Sequence, residues 1–538
     1  MDIPYTDPVT LLPIPDFQTG CDIVARLPLV NPPQAANDLV RLLDSLQAFP
    51  PDGESYLKLL EQMRLPAAFV TGELAKRYLA KPLPLGEVEE RVFRLVTGLW
   101  LKTAKAYAHC TGRDQIEDDI AYARRVAMVL HRCIQHTGMA VFEHQRARRE
   151  LPWGLWLDIH GYYASAEEWN VASLAIPDPL DPLGRETNCM AAYVTTLLCD
   201  MASPYSLSLR DQSLVRRWAT LWSPLISVHP VTAGETLPAF VIELMQDAAL
   251  RPVADCLHTE HLRRLDTSRL AQQMIHVRQQ LRQRVTPAQL LLGDDCTAGQ
   301  CVRLLDYLSR PWSQARAARK FRRHATSGIA SLCTSFEEMH YFISGQPFVQ
   351  PENVRTYSRK DFDRLFAFRF QTNPQQTLHL HKEQLPYRTD DWEVINQSAN
   401  GFRLARSIAG RKMEHGQLLA ICPHDGERYL LAKITWLMQE KEGGLVAGLM
   451  ALPGMPEAIA ARPLDALGRP DGLYQRAFLL PAINGMENGR AERSLVVPPG
   501  WFRSGQRVEL FTDGAWQIEF KRVLDQGADF ERLSFEVC

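Results

Sequence analysis

The hexapeptide Asn396-Gln-Ser-Ala-Asn-Gly401 carries the side chains of this chain with the clearest potential for ligand chemistry. It interrupts an apolar segment that begins at Trp392 and resumes at Phe402. Asn396 and Ser398 provide short donors and acceptors, and Gly401 lets a backbone approach closely because it has no Cβ atom. At the end of a strand, this combination predicts a surface that holds a polar, planar ligand.

Four histidines stand at spacings that could place two imidazoles on one helix face. His136 and His144 are eight residues apart, and His258 and His261 are three apart. Neither pair has the further ligands that a zinc site needs, so surface or core histidines are expected. The eleven cysteines contain no Cys-x-x-Cys pair. The sequence therefore predicts reduced thiols and no metal site.

The strongest local charge is a basic run that precedes the second half of the chain. It consists of Arg316, Arg319, Lys320, Arg322 and Arg323. Such a run is typical of a solvated helix face, but contact with an acidic partner or nucleic acid and a role between domains remain open. The sequence has no phosphate-binding loop, serine-hydrolase elbow or zinc-protease motif, which predicts that the protein is not an enzyme.

Helical periodicity dominates the region from about 34 to 345. A leucine stripe at 39–46 follows Asn37, which fits a helix N-cap. Further amphipathic helical runs are predicted around 114–148, 187–202, 208–222, 235–250, 266–284 and 312–343. No fixed repeat period holds, so the pattern predicts an all-α bundle or irregular solenoid behind an extended segment, 1–33.

Beyond residue 346 the period of the apolar residues changes to two, which is typical of strands. Turn signals at Asp425-Gly426 and Glu442-Gly443-Gly444 separate three runs. Strands are predicted at 366–370, 378–380, 417–421, 429–438 and 445–452. The sequence thus predicts a multidomain α + β protein with an all-β barrel over 346–455. An additional strand unit over 456–538 either completes that barrel or forms one of its own.

The composition is that of an ordinary globular protein with at least two domains. Lys plus Arg number 60 against 62 Asp plus Glu, giving a net charge of −2. A nucleic-acid-binding protein is normally more basic, so neither DNA nor RNA is expected as a partner. The sequence shows no signal peptide and no apolar run of ~20 residues, which predicts a cytoplasmic protein without a membrane span.

The hexapeptide resembles the Asp/Asn-x-Ser-x-x-Gly signature of PilZ domains, small β-barrels known as receptors for cyclic di-GMP. The other PilZ signature is Arg-x-x-x-Arg, and Arg355-Thr-Tyr-Ser-Arg359 has that spacing upstream. The predicted strands after the hexapeptide are similar in order and length to those of the family. The resemblance covers about 350–455.

This resemblance implies a bacterial signalling protein whose barrel binds cyclic di-GMP and which needs no metal or other cofactor. The ligand-binding residues it implies are Arg355, Arg359, Asn396, Ser398 and Gly401. Guanidinium groups can pair with a phosphate or with the O6/N7 edge of guanine, and the Asn, Ser and Gly would contact guanine from the barrel wall. The helical region would then act on a protein partner.

Two alternatives remain open from the sequence. In the first, the barrel is a degenerate PilZ domain, and the protein is an adaptor or scaffold that does not respond to nucleotide. In the second, the helical half contains an active site without a recognisable local motif.

Overall fold

The computed structural model describes residues 13–14, 16–112, 119–181, 184–232, 235–256, 260–314, 324–351, 387–398, 400–407, 410–465, 467–483 and 492–538. The chain divides into two compact units. The first comprises Met1–Lys81 and Leu85–Arg319, and the second comprises Pro82–Pro84 and Lys320–Cys538. Among the described residues, no helix combines the length and the apolar character that crossing a bilayer requires.

Helices make up most of the first unit. In its described part they are α1 Phe17–Ala25, α2 Pro32–Ala48, α3 Gly53–Ala75, α4 Glu87–Ala108, α5 Asp119–Arg146, α6 Leu155–Glu168, α7 Cys189–Met201, α8 Leu209–Trp222, α9 Ser268–Arg282 and α10 Ala298–Trp312. The predicted leucine stripe lies buried on α2. The predicted N-cap at Asn37 is wrong, because two prolines start this helix earlier, directly after Asn31.

Helix α5 is the central element of this unit, since its sides belong to two different hydrophobic clusters. Leu130 and Ile134 pack with residues of α6, α7 and α8. Val129 and Cys133 pack with residues of α2, α3 and α4. A helix enclosed in this way is apolar on more than one side, which explains why its sequence shows no single clean stripe.

Short strands interrupt the helical unit. They are β1 Ile176–Pro177, β2 Glu186–Thr187, β3 Ser227–Pro230, β4 Phe240–Glu243, β5 Arg251–Pro252 and β6 Leu262–Asp266. The last four form a sheet in the order β3-β6-β4-β5. The helix predicted over 235–250 is therefore wrong. Pro238 disfavours a helix there, and the β-branched residues of β4 suit a strand.

The second unit begins with a barrel around the hexapeptide. Its strands are β7 His324–Ala325, β8 Ile329–Cys333, β9 Asp390–Ser398, β10 Gly401–Arg406, β11 Leu418–Cys422, β12 Leu430–Gln439 and β13 Leu445–Ala451. The sheet runs β10-β13-β12-β11-β8-β9-β7, and the pairing of β9 with β10 closes six of these strands into a ring. The three strands predicted between 417 and 452 are confirmed, whereas 366–370 and 378–380 lie outside the described residues.

A second closed barrel follows. Its strands are β14 Glu457–Pro463, β15 Gln475–Leu480, β16 Ser494–Val497, β17 Arg507–Phe511, β18 Ala515–Gln526 and β19 Glu531–Val537. They close in the order β14-β15-β16-β19-β18-β17. The additional strands are therefore a barrel of their own, and the predicted fold class of a helical region followed by β-barrels is confirmed.

The two barrels share a hydrophobic core with α11 (Phe336–Ser344). Ala477 and Leu479 of β15 face the interior of the second barrel. Phe478 and Leu480, on the opposite face, pack with Leu418 of the first barrel and with residues of α11. Strand β15 is buried on both faces, which explains its continuous apolar sequence.

Candidate functional site

The hexapeptide forms the hairpin that joins β9 to β10. Ser398 at the end of β9 pairs in register with Gly401 at the start of β10, and the Ser398 hydroxyl donates to the Gly401 carbonyl at 3.4 Å. A Cβ atom at Gly401 would lie 3.0 Å from the Leu449 carbonyl oxygen of the neighbouring strand. The glycine therefore permits the close approach of β10 to β13, as the sequence predicted for this position.

Asn396 lies in a row of residues that crosses five strands. The register pairs Ala325 with Asn396, Asn396 with Arg403, Arg403 with Gly448 and Gly448 with Trp436. Residues directly opposite one another across a sheet project from the same face. Val394, Leu404 and Leu437 of the same strands are buried, whereas Asn396, Arg403 and Trp436 are at least partly exposed, so the row lies on the outer face of the barrel.

Arg403 and Trp436 form the aromatic and cationic part of this row. The Arg403 guanidinium lies over the indole, with its central carbon 5.7 Å from the ring centroid. The indole packs against Gly448, where a Cβ atom would lie 1.8 Å from the indole nitrogen. An exposed arginine, a half-buried tryptophan and the half-buried Asn396 thus stand side by side. We call Asn396, Ser398, Gly401, Arg403 and Trp436 the hairpin site.

Such a surface offers stacking, a positive charge and amide hydrogen bonds along one row of residues. A planar aromatic base stacks on indole or on a guanidinium plane. An anionic group pairs with arginine, and an amide side chain can donate and accept at once. The sequence predicts Asn396, Ser398 and Gly401 as ligand-binding residues but not Arg403 and Trp436, because only the register of β10, β12 and β13 brings these two together.

Of the predicted ligand-binding residues, Arg355 and Arg359 lie outside the described part of the chain. The structure does describe β7, whose His324 and Ala325 pair with Gln397 and Asn396. In the sequence, β7 directly follows Arg319-Lys-Phe-Arg-Arg323, which also has the Arg-x-x-x-Arg spacing. Arg323 is therefore only two positions before Ala325, the residue that pairs with Asn396, although the arginines themselves lie outside the described residues.

The candidate metal-ligating histidines take structural positions. His136 is fully buried and stacks on Trp100 and Tyr107, with ring centroids 5.4 and 5.6 Å away. His144 Nδ1 lies 2.9 Å from the Ala140 carbonyl oxygen, and burial lowers the pKa of His144 to about 4. His258 lies outside the described residues, while His261 lies 3.7 Å from Glu260. The described residues contain no cluster of potential metal ligands.

Three models of protein-domain families match the chain. The first, described as the N-terminal domain of the cyclic-di-GMP receptor FimW, matches residues 21–233, and the FimW middle PilZ domain matches 239–365. The chain contains a PilZ domain. The FimW C-terminal β-barrel domain matches 459–538, so the PilZ domain lies in the middle of the chain, between a helical region and a separate barrel.

A curated relative matches this chain over most of its length. The cyclic-di-GMP receptor FimW of Pseudomonas aeruginosa is 24% identical over 532 residues, which cover 91% of this chain and 85% of the relative. The resemblance to PilZ domains is thereby confirmed. The match to the PilZ domain ends at residue 365, whereas the strands of the barrel run from His324 to Ala451, so the predicted domain limits stay a prediction.

Proposed function

We propose that this chain is a bacterial signalling receptor whose PilZ barrel binds cyclic di-GMP at the hairpin site. The observation that carries this proposal is the position of Asn396 and Ser398 beside Arg403 and Trp436 on the barrel. The similarity to a protein named as a cyclic-di-GMP receptor supports the choice of ligand. We propose a receptor role rather than an enzymatic one, and a cytoplasmic location.

In this proposal, each group of the hairpin site has a defined part. Asn396 and Ser398 hydrogen-bond to one guanine, and Gly401 leaves room for the base because it has no Cβ atom. Trp436 offers a face for stacking, and the Arg403 guanidinium pairs with a phosphate or with the O6/N7 edge of guanine.

The remaining positive charge comes from an arginine arm, for which the sequence holds two candidates. Arg355 and Arg359 are the pair implied by the family spacing. Arg319 and Arg323 have the same spacing and lead directly into β7, whose Ala325 pairs with Asn396. The second pair is favoured by this pairing, because its chain length to the hairpin site is only a few residues.

Calorimetric titration of the full chain with cyclic di-GMP tests the proposal. We expect saturable binding in the micromolar range or tighter, and about tenfold or greater weakening by Asn396→Ala or Ser398→Ala, since each removes a hydrogen bond to the base. The double variant R319A/R323A should weaken binding more than R355A/R359A. Thr512→Ala, on the second barrel, is the control that should bind as the wild type does.

Absence of binding by the wild-type chain at tens of micromolar would contradict the receptor proposal. In that case the protein is an adaptor with a degenerate barrel. We also propose that the helical unit acts on a protein partner. Nucleotide must then change the affinity of the chain for that partner, because a ligand shifts an equilibrium only through a difference in affinity.

A further inference from the structure

The helical unit contains a large cavity beside α5. Its volume is about 1000 Å³, and residues of α5, α7 and α8 contribute much of its lining. This volume lies at the upper end of the range of ~300–1,000 Å³ found for small-molecule sites. Met139, Phe142 and Trp100 supply apolar and aromatic surface to its wall.

One side of the cavity is fixed by buried ion pairs. The Asp178 carboxylate accepts hydrogen bonds from Arg64 Nη2 at 2.7 Å, from Gln135 Nε2 at 2.7 Å and from the Leu180 amide at 3.0 Å. Burial alone would raise the pKa of Asp178, but the charges of Arg64 and Arg132 lower it to about 2. This carboxylate is therefore ionised and already satisfied by the protein.

Arg216, which also lines the cavity, stands in a different situation. Its guanidinium lies over the Phe142 ring, 4.6 Å from the centroid, and contacts the Met139 sulfur. No carboxylate among the described residues lies within salt-bridge distance of it. Two other arginines of the lining do have such partners, Arg185 with Asp181 at 3.1 Å and Arg217 with Asp295 at 2.5 Å.

Burial lowers the pKa of Arg216, and the Glu143 carboxylate, which acts in the opposite direction, is already paired with Arg146. A guanidinium nevertheless remains protonated at neutral pH, because its ordinary pKa is above ~12. The lining of the cavity thus contains one positive charge that contacts an aromatic ring and a thioether and forms no salt bridge with a described carboxylate.

Two further polar side chains of the lining have unused hydrogen-bonding capacity. His136 is fully buried, and neither of its ring nitrogens has a hydrogen-bond partner among the described residues. Gln145 is 1% exposed, and its carbonyl oxygen has none either. Burial lowers the pKa of His136 far below its usual value, so the neutral ring offers one donor and one acceptor. Buried polar groups without partners are rare and call for an explanation.

We propose that this cavity binds a small organic anion, with its negative group on Arg216 and an aromatic body against Phe142 and Met139. His136 and Gln145 would then supply hydrogen bonds to the polar atoms of the ligand. Every residue in this assignment belongs to the helical unit, so the proposal does not depend on nucleotide binding by the PilZ barrel.

Fluorescence titration of the full chain with 8-anilinonaphthalene-1-sulfonate, an aromatic anion, tests the cavity. We expect a saturable increase with one site per chain. Arg216→Met keeps an apolar side chain over Phe142 but removes the charge, and should weaken binding about tenfold or more. Arg278→Gln removes a charge that is paired with Asp306 on the surface, and serves as the matched control with unchanged affinity.

Ala192→Phe provides an independent variant, because it places a ring into the cavity lining without touching a charge. It should abolish binding of the dye while the thermal unfolding midpoint stays near that of the wild type. The proposal is overturned if the wild-type chain shows no saturable site, or if the folded Ala192→Phe variant binds the dye as tightly as the wild type. Equal weakening by Arg216→Met and Arg278→Gln would also overturn it.

Discussion

At the scale of single residues, Gly401 and Gly448 determine how the hairpin site is assembled. Gly401 lets two backbones approach, since a Cβ atom there would meet a carbonyl oxygen at 3.0 Å. Gly448 has a different part, because the space above it is filled by the Trp436 indole. An aromatic ring that lies flat on a strand glycine shields the backbone and gains a fixed orientation.

We expect Gly448→Ala to displace the Trp436 ring, because the added Cβ would lie 1.8 Å from the indole nitrogen. The free energy of unfolding should fall by about 1–3 kcal/mol, as for other overpacked sites. Urea unfolding and tryptophan fluorescence measure both effects. Gly514→Ala is the control, since nothing lies within 4 Å of its added Cβ. Unchanged stability and fluorescence in Gly448→Ala would contradict this packing.

The sequence predicts only part of the hairpin site, for a physical reason. Asn396, Ser398 and Gly401 stand within six residues, so a local motif reveals them. Arg403 and Trp436 join them only through a strand register that includes bulges after Arg403 and Ile434. A bulge reverses which side chains face outward, and the alternation of apolar residues does not locate it.

At the scale of elements, the loop between β18 and β19 of the second barrel contacts the first barrel. Asp529 in this loop accepts a hydrogen bond from the Leu418 amide of β11 at 2.8 Å. Burial raises the pKa of Asp529 to about 6. Nearby, the Lys433 ammonium of β12 lies 2.7 Å from the Asp525 carboxylate. The contact between the two barrels therefore contains one carboxylate that ionises unfavourably, Asp529, and one that is paired with a lysine, Asp525.

Asp529→Asn should stabilise the protein at pH 8. The folded pKa of about 6 exceeds the unfolded value of about 3.9, so the folded state binds the proton more tightly. The wild type therefore loses stability as the pH rises from about 4 to about 6, and the variant avoids this loss. After allowance for solvent, we expect a gain of about 1 kcal/mol at pH 8 and little difference at pH 4.

Unfolding free energies at the two pH values measure this effect. Asp525→Asn is the informative control, because it breaks the salt bridge to Lys433 and should lower stability at pH 8. A gain for Asp529→Asn that is equal at both pH values would show that ionisation of this carboxyl is not the cause.

The elements themselves were predicted where one kind of periodicity dominates. Strands β11, β12 and β13 have turn signals at their ends and alternate clearly, and the structure places them within a residue or two. Strand β4 was predicted as helix, because a run of three apolar residues, Phe240-Val-Ile242, fits either period. The buried Arg64–Asp178 pair joins residues 114 positions apart, and no local pattern shows such a contact.

At the scale of the whole molecule, the second unit folds around a core that both barrels share. Phe478 on β15 is fully buried outside the interior of its own barrel, with its ring centroid 5.4 Å from that of Phe336 on α11. Leu418 and Leu431 of the first barrel belong to the same cluster. The stability of the PilZ barrel is thus coupled to the presence of the C-terminal barrel.

We expect Phe478→Ala to loosen both barrels, because it leaves a cavity in the shared core and costs about 3 kcal/mol or more. Amide hydrogen exchange should accelerate in β11 as well as in β16. Leu510→Ala, in the interior of the second barrel, is the comparison that should accelerate exchange in β17 more than in β11. Protection of β11 that is unchanged by Phe478→Ala would contradict the coupling.

The closure of both barrels has a consequence for how other proteins can recognise this unit. Free strand edges allow an extended peptide to add as a further strand, and they also promote aggregation. Among the described strands of the second unit, the six members of each ring have neighbours on both sides, and only the two-residue β7 has a single strand partner. Strand addition therefore has almost no template here. A protein that docks on this unit must recognise it through contacts with side chains. Side chains are also the groups that a bound nucleotide would cover or reorient.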